Sequence, residues 1–399
     1  MSMTTRLCGM LIGLALALAR SATAQTADER ARAAFGGDVH ASAGLTCEAC
    51  HGGGAPRSTA ASAAASYAIR RTAIAPLCAR CHSDAAYMRK FVPQLRIDQY
   101  AEYVTSTHGK RMAAGEARVA TCSDCHGAHG VRPVKDARSP VAPQNVAGTC
   151  ARCHGDPVLM QTFGRDATPP KDWSAGVHAA ALLKRGDTSA PTCSTCHGSH
   201  GATPPGVTQV ANVCGQCHVR EAELFRKSPK KAIFDGMDQA ECLACHSNHR
   251  IESPGDAWIG LTEGAVCAQC HDETTDSAKT IVEMRKGLDR LNASIATADG
   301  VLSQAVSAGM LVDEGGAALR EAREHLVQSR VLIHAFAAKP LTDITAQGVT
   351  AADRARAVGQ EALRELQIRR RGLVVATFLI LGFLVTLWWK IRQLPRTEP

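Results

Sequence analysis

Sixteen cysteines and eight histidines recur in one spacing along this chain. The pentapeptide Cys-x-x-Cys-His occurs at Cys47/Cys50/His51, Cys78/Cys81/His82, Cys122/Cys125/His126, Cys150/Cys153/His154, Cys193/Cys196/His197, Cys214/Cys217/His218, Cys242/Cys245/His246 and Cys267/Cys270/His271. Thiols at this separation can form thioethers with the two vinyl groups of a haem, and the adjoining imidazole then meets the iron from one face. Thiol pairs alone would also suit four-thiolate zinc sites. Histidine, however, supplies 16 of 399 residues, and its independent recurrence after all eight pairs has a probability on the order of 10⁻¹¹. Eight covalently bound haem c groups are the expectation. The remaining cysteine, Cys8, falls in a removable leader, so filled motifs leave no thiol for a structural disulfide.

Eight further histidines are available as distal iron ligands: His40, His108, His129, His178, His200, His249, His325 and His334. The motifs repeat in pairs. First members at Cys122, Cys193 and Cys242 extend to CxxCHxxH, which places His129, His200 and His249. Second members, at Cys78, Cys150, Cys214 and Cys267, lack the extension, and the first pair has Gly54 at the trailing position. An imidazole three residues past the proximal one cannot reach the opposite face of the same iron, so it must serve a neighbouring haem. Histidines also recur upstream: His40, His108 and His178 lie 7, 14 and 15 residues before Cys47, Cys122 and Cys193. Val39-His40-Ala41 reappears as Val177-His178-Ala179.

The fourth unit departs from this pattern. Ser106-Thr107-His108 is echoed by Ser228-Pro229-Lys230, with lysine in the distal position. Lys230 either marks an under-ligated haem able to take a small substrate or joins Arg226, Lys227 and Lys231 in a solvated face, the plainer reading. His325 and His334 lie nine residues apart on one expected helix, about 180° apart around its axis, and cannot share a site. His334, near the helix end beside Phe336, is the better placed. Ligation by two histidines favours lower potentials than Met/His ligation, and no methionine follows a motif in a patterned way.

These sites require a particular kind of scaffold. Only 4% of residues are aromatic, and the motif region offers roughly 29 residues per haem, so porphyrin must supply much of the buried apolar surface. The haem-free chain is expected to be largely unfolded. The formal charge of +8 falls to about −2 once the leader is removed and eight oxidised haems are counted, and to about −10 on reduction. The basic residues then neutralise propionates, and no nucleic-acid partner is expected.

From 25 to 271 no helical or strand period is sustained; short helices around motifs alternate with Gly/Pro/Ala-rich connectors. Residues 1–24 read as a signal peptide, with Arg6, an apolar run from Leu7 to Ala19, and Ala22-Thr23-Ala24 before the cut. A heptad seam then runs through Ile281, Met284, Leu288, Leu291, Ile295, Ala298, Leu302 and Ala305, breaks at Gly315-Gly316, and resumes through Leu319, Ala322, Leu326, Ser329, Ile333 and Phe336. Pro340 is expected to end that helix, and Thr350 to Asp353 to cap a third. Gly372 to Trp389 carries no charge and is long enough to span about 27 Å. Trp388-Trp389 suits an interfacial belt. Arg369 to Arg371 oppose the positive-inside rule, but haem attachment outside the cytoplasm sets the orientation.

The paired CxxCH and CxxCHxxH units resemble the multihaem c-type cytochromes. Among these, the octahaem tetrathionate-reductase-like and hydroxylamine-oxidoreductase-like proteins are similar in style, and the quinol-oxidising NapC/NrfH type shares the His-rich wiring. The resemblance covers roughly residues 38–271. The chain departs from these relatives in having no CxxCK motif, no tyrosine after Tyr103 and a C-terminal rather than N-terminal anchor. The expected fold is mostly α with extensive irregular loops, a multihaem domain around stacked haems, then a helical hairpin with a third helix and one C-terminal transmembrane helix. The expected boundaries are 1–24, 25–271, 272–371, 372–391 and a cytoplasmic tail at 392–399. The expected function is a periplasmic electron wire anchored in a bacterial inner membrane. Its partners would be redox proteins, among them a membrane quinol-oxidising subunit. The alternative is an enzyme reducing a nitrogen or sulfur oxyanion near Lys230.

Overall fold

The structure is a computed structural model that describes residues 27–52, 69–205 and 210–393. The leader with Cys8, Gly54, and residues 394–399 of the tail lie outside the described residues. Its regular structure is helical, and no strand occurs among the described residues. Two compact units are present. One takes the described residues up to Pro205 together with Asn248–Glu252; the other takes those within Gly206–Ser247 and from Ser253 onward. The first five motifs fall in the first unit, and the last three share the second with the long C-terminal helices.

In the first unit the two motif classes fold differently. First members form five-residue helices, Cys47–His51, Cys122–His126 and Cys193–His197, each preceded by a threonine in extended conformation. Gly52, Gly127 and Gly198 close them at φ 79°, 84° and 81°, a backbone region that glycine enters without steric cost. The chain therefore turns immediately after the proximal imidazole, and the trailing loop leaves in a set direction. Second members instead end 12-residue helices, Arg71–His82 and Pro143–His154. The second unit breaks that rule at its first motif. There the helix Val210–Cys214 stops at the first cysteine, and Cys217 and His218 follow in a turn, both donating their N–H groups to the Cys214 carbonyl at 3.2 and 2.9 Å.

The upstream ligand positions lie on four short helices: α1 (Val39–Ser42), α2 (Thr107–Ala113) and α3 (Val177–Ala179) in the first unit, and α4 (Pro229–Gly236) in the second. Each places its candidate ligand at the second helical position, directly behind the N-cap.

Three long helices complete the second unit: α5 (Ala278–Ser307), α6 (Asp313–Leu332) and α7 (Ala338–Arg392). The heptad seam is their core. Leu288, Leu291 and Leu341 are fully buried, and Ala298, Ala305, Ala322, Ala351 and Ala355 fill the close approaches. Three boundaries differ from expectation. The break lies at 308–312, and Gly315 sits in the first turn of α6, where a Cβ would stand 2.6 Å from Leu302; this glycine is required for packing. The second helix ends at Leu332, with Phe336 at φ 48° beyond it, and Pro340 lies in the first turn of α7, where a missing N–H costs little. Thr350 opens no helix: its hydroxyl donates to the Ala346 carbonyl at 3.0 Å inside α7. The buried stripe of Leu341, Thr345, Gly348, Ala352, Ala355 and Gly359 carries α7 through that point. The same helix continues into the apolar stretch at 372–391, where Leu373, Phe378, Leu379, Phe383 and Trp389 are exposed. With a mean hydropathy of 2.2, this segment is long and apolar enough to cross a membrane.

Candidate metal centres

A backbone device repeats four times around the upstream ligands. The cap residues Asp38, Ser106, Gly176 and Ser228 are all buried. Each donates its backbone N–H, at 2.9–3.0 Å, to the carbonyl of an aromatic residue three positions earlier: Phe35, Tyr103, Trp173 and Phe225. The aromatic side chain anchors the approach, the cap starts a helix, and the ligand follows two residues later. With 4% aromatic residues in the whole chain, this aromatic-x-x-cap-x-ligand signature is legible in the sequence.

The next residue links neighbouring repeats. Val39, Thr107 and Val177 donate their N–H groups to the carbonyls of Val131, Ala202 and Ile251 at 2.9, 3.1 and 2.8 Å. Each acceptor lies two residues past a trailing histidine, His129, His200 or His249. In α4 this position is Pro229, which has no N–H to place.

The structure brings six histidine pairs together. Trailing histidines face the histidines of first members: His51 faces His129, His126 faces His200, and His197 faces His249, with ring centres 6.1, 6.1 and 6.0 Å apart. His334 completes the series in the second unit, 6.1 Å from His246. Upstream histidines serve second members, His40 facing His82 and His108 facing His154, both at 6.0 Å. The two classes also differ in angle. The first four pairs are nearly parallel, at 12°, 8°, 13° and 15°, whereas the last two are inclined at 87° and 55°.

This spacing fits an iron held by one imidazole on each face. Metal–nitrogen bonds of about 2 Å on each side, plus roughly 1 Å from nitrogen to ring centre, separate the centres by about 6 Å. Two protein ligands suffice only where a porphyrin supplies the other four. Among the described residues, no group of three or more His, Cys, Asp or Glu side chains is arranged to hold a metal ion alone.

Protonation and orientation agree with ligation. Burial holds His82, His108, His126, His154, His197, His200 and His246 below the ordinary histidine value, leaving neutral rings with a free lone pair. Outer partners select the nitrogen. His40 Nδ1 lies 2.8 Å from the Asp38 carboxylate, which also accepts the Val131 N–H at 2.7 Å. His334 Nδ1 lies 3.0 Å from the Val331 carbonyl, and His271 Nδ1 lies 2.7 Å from Ser277 Oγ. In each case Nε2 is the nitrogen left to face a metal.

The cysteines record which motifs are neighbours. Cys78 lies close to Cys122, Cys150 to Cys193, and Cys214 to Cys242. Cys50 likewise stands near Cys81, Cys125 near Cys153, and Cys245 near Cys267. Within each compact unit, motifs adjacent in sequence are therefore adjacent in space. Arg71 fixes one such contact by a bidentate bond to Asp124 at 2.6 and 3.1 Å.

Several members of the expected haem-binding set are exposed. Cys196 and Cys217 are exposed thiols, as are Cys47, Cys50 and Cys270. His218 is an exposed imidazole. The local chain explains the exposure. Thr195 and Gly198 flank Cys196, and Gly215 and Gln216 precede Cys217, so no large apolar neighbour is at hand to cover either thiol. His218 caps the helix Val219–Lys227 at the end of a turn, not within a helix packed against others.

The other candidates are placed as follows. His178 occupies the same second position of α3 that His40 and His108 occupy in α1 and α2. His325 lies in the helical core, its Cβ 2.9 Å from where a side chain on Gly348 would begin and its Nε2 4.0 Å from Glu321. Lys230 places its Nζ 2.9 Å from His271 Nε2.

Comparison with known proteins agrees with this arrangement. The family model described as cytochrome c3 matches residues 39–155 and 185–272, together just over half of the chain. The chain belongs to the cytochrome c3 family. It is thus a multihaem c-type cytochrome, and haem c is its covalently bound cofactor. The narrower octahaem groups named above receive no such support. Among curated proteins, the C-type polyheme cytochrome OmcC of Geobacter sulfurreducens is 25% identical over 209 residues, 52% of this chain and 22% of the relative. This cytochrome therefore spans under a quarter of that protein's length. No solved structure matches it.

Proposed function

We propose that this cytochrome is an octahaem electron carrier. Its thioether cysteines are the sixteen of the CxxCH motifs, and its proximal ligands are the eight histidines that end them; Cys196, Cys217 and His218 are included on their motif spacing. His129, His200, His249 and His334 supply the distal ligands opposite His51, His126, His197 and His246. His40 and His108 do the same opposite His82 and His154, and His178 is a distal ligand by its place in α3. The observation that carries this reading is the common 6.0–6.1 Å separation of six histidine pairs drawn from distant parts of the chain.

Haem supplies the one-electron chemistry; the chain's residues hold it, dehydrate it and order it. The cysteine contacts support a run of five haems in the first unit and of three in the second, each in sequence order. With the leader-like segment 1–24 for export and the apolar stretch 372–391 as an anchor, the carrier would work on the periplasmic side of the inner membrane. There it would take electrons from a membrane source, such as a quinol-oxidising subunit, and pass them to a soluble or outer-membrane acceptor. The oxyanion-reductase alternative needs an open iron face, and Lys230 stands on the side of His271 where that face would lie.

A pyridine haemochrome assay on the full-length protein should return eight haems per chain. EPR of the oxidised form should be dominated by low-spin signals. Far fewer haems, or several high-spin ferric haems, would sink the proposal.

A further inference from the structure

We propose that Lys230 is the distal axial ligand of the haem attached at Cys267 and Cys270, giving that haem amine/imidazole coordination. The inference rests on haem attachment at all eight motifs.

The same backbone device that presents His40 and His108 presents Lys230. Phe225 anchors the approach, with its carbonyl accepting the Ser228 N–H at 3.0 Å and the Ser228 hydroxyl at 2.7 Å. Tyr103 and Ser106 make the same two contacts, at 3.0 and 2.6 Å, two residues before His108. His40 and His108 face the proximal histidine of the second motif in their own repeat, and Lys230 faces His271, which is also a second-member histidine.

The nitrogens are correctly disposed. Ser277 engages His271 Nδ1, so Nε2 is the nitrogen turned toward the Lys230 amine. Two metal–nitrogen bonds of about 2 Å each need roughly 1 Å more than the 2.9 Å observed, and a side chain with four rotatable methylenes can provide it. Surrounding groups favour this location for the amine. It lies 5.1 Å from the centre of the Phe336 ring, which packs on Phe225, as does Phe234. Phe336 is held at φ 48°, a conformation rarely accessible to a bulky residue and retained only where its surroundings demand it. Lys231, by contrast, points to Asp235 and to buried Glu241, so the two adjacent lysines have separate roles.

The position in the repeat explains the change. Earlier upstream helices bond the trailing loop of the following repeat, but no fifth CxxCH repeat follows the fourth within residues 272–399. Pro229 removes the N–H that would need that loop, and Lys230 replaces the imidazole. This end of the haem series is thereby given a ligand of different chemistry.

The test uses the full-length holoprotein in detergent. Near-infrared magnetic circular dichroism of the oxidised wild type should show one amine/imidazole haem per chain beside bis-imidazole haems, with no high-spin signal. Lys230→Ala should convert one haem per chain to a high-spin form that binds added cyanide, with the haem count unchanged. Lys230→His should return that haem to the low-spin, bis-imidazole class, and Lys231→Ala should leave the spectrum of the wild type. A wild type lacking the amine/imidazole signature overturns the proposal even if Lys230→Ala fails to accumulate. So does a Lys230→Ala protein with an unchanged low-spin count. A wild type with eight haems, one of them already high-spin, overturns this proposal alone and favours a substrate-binding haem. Absence of haem from Cys267 and Cys270 by mass spectrometry overturns the broader reading as well.

Discussion

Asp38 couples the electronic character of one haem ligand to the packing of the loop behind it. Its buried carboxylate accepts from the His40 ring, the His40 backbone and the Val131 backbone at 2.7–2.8 Å. A carboxylate on Nδ1 makes the imidazole a stronger donor and favours ferric iron. Asp38→Asn should therefore move one haem potential upward by on the order of tens of millivolts, since 59 mV corresponds to about 1.4 kcal/mol for one electron. A redox titration showing no shifted component would contradict this. Two histidines considered together in the sequence make a second contrast. His334→Ala should create one high-spin haem per chain by EPR, because its ring faces His246. His325→Ala should leave the spin states unchanged and act on stability alone. Its Nδ1 is buried without a hydrogen-bond partner within the helical core. Both residues have helical spacing, so only their neighbours separate them.

Among the elements, the short turn at Asp256–Trp258 is tied to α5 and α6 by one side chain. Asp256 accepts a bidentate bond from Arg330 at 2.8 and 2.9 Å and another from Asn292 at 2.8 Å. The Arg330 guanidinium holds the Asp256 carboxyl below its ordinary value. A depressed carboxylate stabilises the fold above its unfolded pKa and ceases to do so as the pH falls through the folded value. Asp256→Asn should thus cost about 1 kcal/mol at neutral pH, discounted for the half-exposed arginine. The difference should shrink at an acid pH below the ordinary aspartate value of about 3.9. Thermal melts of the helical signal at both pH values would measure it, and a pH-independent difference would disprove the ionic origin. Such a tie was not legible beforehand, because Asp256 and Arg330 lie in different segments with no shared pattern. The seam itself was legible, since packing selects apolar residues at helical spacing. Its breaks were not: Gly315 and Pro340 are turn signals by residue type, yet one is a close-packing site and the other lies in a first turn.

At the scale of the molecule, the haem-bearing repeats and the apolar C-terminal stretch are separable by composition but continuous in backbone, because α7 enters the bundle at Leu341 and leaves it as the exposed segment after Arg371. A chain ending at Arg371 should keep all its haems and remain in solution without detergent, whereas the full chain should partition into membranes. Fractionation with haem quantification decides the matter, and loss of haem from the shorter chain would show that the apolar segment supports the fold. With eight haems bound and the leader removed, the holoprotein would carry about −2 oxidised and about −10 reduced, so reduction would strengthen its attraction to basic partners.

The sequence by itself determined the chemistry that depends on local spacing. Two thiols and one imidazole within five residues point to thioether attachment and a proximal ligand by their spacing alone. A histidine three residues further on is barred geometrically from the same iron. The heptad seam and the uncharged C-terminal stretch were legible for the same reason, since each is a pattern within one helix. Only the tertiary structure decided which histidine faces which motif. The paired rings come from segments far apart in the chain, as His51 with His129 and His246 with His334. It also gave one irregular position its sense. Lys230 occupies a ligand's place because the same aromatic anchor and buried cap that position His40 and His108 deliver its amine to His271.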